Sequence, residues 1–69
     1  MEFILTKHAM KRMIERNISI ETIKDTINFP DYTIKKHNIE AYKQINNKTL
    51  KVVYIQKGKF IKIITLIWK

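Results

Sequence analysis

The 69 residues carry 14 Lys and Arg against 6 Asp and Glu, a formal charge of +8, and include no Cys. A chain of this length has room for one small domain with a thin core, which excludes a second domain and a large enclosed cofactor pocket. Without cysteine there is no disulfide framework, thiolate metal site or thiol nucleophile, so apolar packing must hold the domain together.

Thr6 precedes Ala9, Met10, Met13 and Ile14, whose helical spacing predicts a first helix over residues 7–16 with Thr6 as its N-cap. Asn17 suits the left-handed closing position, with Ile18 folding back as its apolar partner. Ser19 caps a second helix over residues 20–28, in which Ile20, Ile23 and Ile27 form one stripe and Glu21 complements the helix dipole. Phe29-Pro30-Asp31 ends it. From Tyr32 the apolar period becomes two, which predicts strands over residues 32–36, 39–45, 50–56 and 60–68. The short turns between them imply an antiparallel meander. The expected architecture is α+β: one domain over residues 1–69, an N-terminal helical hairpin on one face of a four-stranded antiparallel sheet.

Burial fixes the expected register. With Lys57-Gly58 as a two-residue turn, Tyr54 opposes Ile61, Val52 opposes Ile63 and Leu50 opposes Thr65, which gives an uncharged face for the core. Asn47-Lys48 as the preceding turn adds Ile45, Ala41 and Ile39 to that face. The other face then holds Tyr42, Gln44, Lys51, Val53 and Ile55, with Phe60, Lys62, Ile64, Leu66 and Trp68 from the last strand. Two short helices cover only one side, so this second face is left for solvent, a second copy or a ligand. A homodimer or partner-protein interface is one use. Lys51 and Lys62 interleaved with Tyr42, Phe60 and Trp68 also suit RNA, through phosphate contact and base stacking.

Charge distribution favours a polyanion. Residues 1–31 balance five bases against five acids, whereas residues 32–69 carry nine bases and only Glu40. The excess therefore lies in the sheet half, which steers a negatively charged strand toward it. The apolar runs Phe3-Ile4-Leu5 and Leu66-Ile67-Trp68 are too short for a membrane span or a signal-peptide core, so a cytoplasmic protein with no membrane role is expected.

Arg12 and Arg16 are the only arginines, and with His8 they form an i,i+4 row along the first helix, bordering the apolar stripe beside Ala9. Guanidinium groups there can reach a phosphate, and an imidazole exchanges protons near neutral pH. The competing reading pairs Arg12 with Glu15 and leaves Arg16 to the helix C-terminus. His37, Tyr54 and Tyr42 are further proton-transfer candidates, although His37 falls in a turn and Tyr54 on the core face. No metal-ligand spacing, Gly-rich phosphate loop or Ser-His-Asp order occurs, so neither a metal nor a cofactor is expected. The chemistry still open to such a chain is RNA cleavage in which the RNA's own 2′-hydroxyl is the nucleophile.

The stretch from Leu5 to Ser19 resembles the opening signature of a small prokaryotic domain family of unknown function. That signature reads Ser or Thr, any residue, His-Ala, three residues including Arg, Met, any residue, Glu-Arg, any residue, Ile. Phe29-Pro30-Asp31, the Leu50 to Tyr54 stretch and the Ile64 to Lys69 stretch are similar to the rest of that family. The family is placed near the BrnT and RelE toxins of toxin-antitoxin pairs, whose compact α+β domains cleave RNA and are silenced by a small antitoxin. The resemblance implies a RelE/BrnT-like fold, the set His8, Arg12, Glu15 and Arg16, and an RNA-facing surface. The expected function is a toxin-like, metal-independent endoribonuclease leaving a 2′,3′-cyclic phosphate. In it His8 transfers protons, Arg12 and Arg16 hold the scissile phosphate, and Lys51, Lys62, Tyr42, Phe60 and Trp68 guide RNA. The alternative is a non-catalytic module binding RNA, the ribosome or a protein through the open face.

Overall fold

The computed structural model describes residues 1–69, and its two helices begin where small polar residues cap them. Thr6 accepts a hydrogen bond from the Ala9 N–H and starts α1 (Lys7–Glu15). Ser19 does the same for Thr22 and starts α2 (Ile20–Asn28). Between them Asn17 turns left-handed at φ 53°, and the Ile18 N–H bonds back to the Met13 carbonyl while its side chain is buried. The helical hairpin is thus closed by the residues whose chemistry requires it.

The sheet has five strands, and it is mixed. β1 (Glu2–Leu5), β2 (Tyr32–Lys35), β3 (Ile39–Ile45), β4 (Lys48–Lys57) and β5 (Phe60–Trp68) lie in the order β1-β5-β4-β3-β2. β2 to β5 form the antiparallel meander, as the alternation predicts. The expected four-stranded, wholly antiparallel sheet is corrected by β1, which pairs parallel to β5 from Glu2 opposite Phe60 to Leu5 opposite Ile63. Four residues without alternation carry no local strand signal. Their pairing is set by the far end of the chain.

Both hairpin turns are displaced by one residue from their expected places. Ile45 opposes Lys48 around Asn46 and Asn47, which take φ values of 50° and 64°, the double left-handed geometry of a type I′ turn that asparagine tolerates. Lys57 opposes Phe60 around Gly58-Lys59, and Gly58, at φ 58°, supplies the first central position. Each shift moves the register by two residues and so preserves the faces.

A bulge does not. Val53 opposes Thr65 but Tyr54 opposes Ile63, which makes Ile64 an extra residue on β5 and reverses the alternation beyond it. Leu66, expected on the open face, is 0% exposed in the core, and Trp68 packs against that core from the helix side. Thr65 and Ile67 go to the open face instead. The gain is clear: the regular register would have buried a threonine hydroxyl and exposed a leucine.

The core is one layer. Ala9, Ile18, Ile23 and Ile27 from the helices meet Ala41, Leu50, Val52, Tyr54, Ile61, Ile63 and Leu66 from the sheet. Met10 and Ile14, predicted as part of the apolar stripe of α1, are 49% and 71% exposed. Only Ala9 and Met13 of that stripe face inward, because α1 lies toward the sheet edge along β1 and β5 while α2 packs over β3 and β4. β1 ends at Leu5, so β5 carbonyls beyond Ile63 lack a strand partner, and α1 supplies donors. The Thr6 hydroxyl donates to the Ile64 carbonyl at 3.0 Å and Arg16 Nη1 to the Leu66 carbonyl at 3.3 Å. Thr6→Ala removes both the cap and this tie, so stability falls by about 1–2 kcal/mol, read from the denaturant midpoint at unchanged slope.

Candidate nucleic-acid interface

The open face is the side of the sheet opposite the helices. Alternation brings Glu2 and Ile4 of β1, Phe60 and Lys62 of β5, Lys51, Val53, Ile55 and Lys57 of β4, Glu40 and Tyr42 of β3, and Tyr32 and Ile34 of β2 to it. At one end Ile4, Ile55 and Phe60 floor a groove of about 270 Å³, with Lys57 and Lys62 on its walls. Phe60 is 39% exposed, a large aromatic surface for a position facing solvent. Neither Lys57 nor Lys62 takes part in any of the four ion pairs of the molecule. Two free ammonium groups therefore flank a ring and two aliphatic side chains.

Toward the other edge the face is more ordered. Tyr32 stacks on Tyr42 with centroids 4.6 Å apart and planes within 10°, which leaves Tyr42 buried although it points away from the helices. The Tyr42 hydroxyl donates to Glu40 Oε1 at 3.1 Å, while Glu40 Oε2 lies 3.6 Å from Lys51 Nζ and 3.9 Å from Lys36 Nζ. Lys51 Nζ also lies 5.8 Å from the centre of the Tyr42 ring. Desolvation acts to raise the Glu40 pKa, but the Tyr42 hydrogen bond and the two lysine charges outweigh it and hold the carboxyl below its ordinary value. Burial, followed by the bond to Glu40, pushes the Tyr42 phenol up, so it stays a donor.

The residues that the sequence singles out divide between the two sides of the sheet. Phe60 and Lys62 come together in the groove on the open face. Lys51 reaches the same face but engages Glu40, and the Tyr42 ring is covered by Tyr32. Trp68 is corrected to the helix side by the bulge, where Lys48 Nζ lies 5.7 Å from its ring centre. His8 is exposed on α1, in the helical layer. Arg12 Nη1 meets Glu15 Oε1 at 2.6 Å, and Arg16 is tied to β5. The Arg12 hydrogen bond holds the Glu15 carboxyl below its ordinary value. Of the other proton-transfer candidates, Tyr54 lies in the core, where burial raises its phenol, and His37 is exposed near the β2–β3 turn.

Ile4, Lys57, Tyr32 and Glu40 join the face without having been singled out for it. Ile4 gives no sequence signal, since its place depends on the parallel pairing of β1. Glu40 does: it is the one acid in the basic half. No helix is long and apolar enough to cross a membrane. No curated protein and no solved structure matches the chain. Residues 5–68 match the family described as Domain of unknown function (DUF4258), and the chain belongs to that family.

Proposed function

We propose that this DUF4258 member is a toxin-like RNA-binding protein that takes single-stranded RNA on its open sheet face. The groove of Ile4, Ile55, Lys57, Phe60 and Lys62 carries this reading, because it offers a base an exposed ring and its flanking phosphates two unpaired ammonium groups. The net charge of +8, concentrated in the sheet half, supports it by steering RNA toward that side. The toxin-like part rests on the resemblance of the α1 signature to the neighbourhood of BrnT and RelE. It brings with it RNA in the cytoplasm, free or on the ribosome, and a small antitoxin as silencer.

The test is the affinity of the whole chain for a fluorescent single-stranded RNA between 50 and 200 mM salt. Two phosphate contacts give a log–log slope of about −1.4, so affinity falls roughly sevenfold over that range. Absence of binding, or affinity indifferent to salt, ends the proposal.

A second reading adds metal-independent cleavage by the α1 row. It is favoured by one observation: His8 is exposed, one helical turn from Arg12. In that reading His8 moves the proton, and Arg12 and Arg16 leave Glu15 and the Leu66 carbonyl to hold the phosphate.

A further inference from the structure

Glu40 stands on the face to which the basic half of the chain would draw RNA, and a lone carboxylate there repels a phosphate strand. It is not lone. Its two oxygens are aimed by three groups: the Tyr42 hydroxyl on Oε1, and Lys36 and Lys51 beside Oε2. Holding two strands together does not account for this arrangement. Lys36 is 65% exposed and contributes little as a surface ion pair, and Tyr42 is already fixed by its stack on Tyr32. What the cluster does provide is an ionised carboxylate in fixed orientation, with two ammonium groups within 4 Å of it to neutralise an approaching phosphate.

Resting on the RNA-binding reading above, we propose that the open face also cleaves RNA, with Glu40 as the general base for the ribose 2′-hydroxyl and Lys36 and Lys51 as its cationic partners. Glu40 Oε2 takes the 2′-hydroxyl proton, and the 2′-oxygen forms a bond to the adjacent phosphorus. The bond from phosphorus to the 5′-oxygen breaks, and its electron pair leaves on that oxygen, which takes a proton from the Lys36 ammonium. Lys51 remains protonated against a non-bridging oxygen. The products are a 2′,3′-cyclic phosphate and a 5′-hydroxyl end. The proton gained by Glu40 then returns to Lys36, 3.9 Å away in the resting site, which restores both groups without a metal or other co-reactant.

The experiment incubates the whole chain with a mixed-sequence single-stranded RNA in EDTA, and records binding and product ends together. Wild type releases 2′,3′-cyclic phosphate ends. Glu40→Gln binds the RNA at least as tightly, having lost a negative charge, yet cleaves roughly 100-fold more slowly or worse. Lys36→Ala also slows cleavage, and it is rescued by an RNA whose scissile 5′-oxygen is replaced by sulfur, a leaving group that needs no acid, whereas Glu40→Gln is not. Circular dichroism checks that the variants fold; if Glu40→Gln does not, the two substrates applied to the exposed Lys36→Ala decide. Wild type that binds RNA and leaves it intact overturns the inference while the binding reading stands. So does Glu40→Gln at the wild-type rate, or loss of cleavage confined to His8→Ala, which returns the chemistry to α1. No RNA binding by wild type removes both.

Discussion

Leu66→Ala lowers stability by about 3 kcal/mol, within the range measured for fully buried leucines cut to alanine. For a domain of this size that displaces the melting midpoint downward by ~15 °C or more. The side chain is 0% exposed and lies against Val52, its cross-strand partner, beneath the helices. Since small domains rest on a margin of only about 5 kcal/mol, about 2 kcal/mol then remains, and the unfolded share at 37 °C rises to roughly 4%. Ile67→Ala, one position on and 41% exposed, changes stability by no more than about 0.5 kcal/mol. The pair measured by thermal circular dichroism reports the bulge at Ile64 directly. In a regular β5 the sensitivities would be exchanged, with Ile67 costly and Leu66 harmless.

The double substitution Lys57→Glu and Lys62→Glu abolishes salt-sensitive RNA binding while leaving the melting midpoint within a few degrees of wild type. Both lysines line the groove without an ion-pair partner, so reversing them breaks no ion pair and places two carboxylates beside the proposed phosphate path. Affinity falls by more than about tenfold at 50 mM salt, and the log–log slope shrinks by about 1.4 as two contacts vanish. Fluorescence anisotropy at several salt concentrations measures both quantities. An unchanged slope would mean that RNA contacts other lysines, with Lys36 and Lys51 next to be tried.

Much of the architecture is written in short-range chemistry. Thr6, Asn17 and Ser19 mark the helix ends, and the change of period at Tyr32 marks the start of the meander. The inward set Ala41, Val52, Tyr54, Ile61 and Ile63 follows from keeping charge out of one face, and it survives a two-residue error in each turn because that error preserves parity. Two features escape such reasoning. The bulge depends on whether Thr65 or Leu66 is cheaper to bury once α1 is in place, a tertiary choice that alternation along one strand does not encode. β1 depends on a partner nearly the whole chain away. The candidate site inherits both gaps: the bulge takes Trp68 off the open face, and β1 brings Ile4 onto it. The α1 row is legible as a pattern, and Arg16 ties the helix to the sheet through the Leu66 carbonyl.

The parallel contact of β1 with β5 also bears on the order of events during synthesis. Ile4 emerges from the ribosome first among the groove residues, whereas Phe60 and Lys62 belong to the final strand. The meander can zip hairpin by hairpin, but β1 must wait for β5, and closing so long a loop is a slow, late step. Until it is complete, the groove lacks a wall and the β5 edge stands uncovered, open to pairing with other chains. The groove between these two strands therefore takes shape only once β5 has been made and β1 has found it.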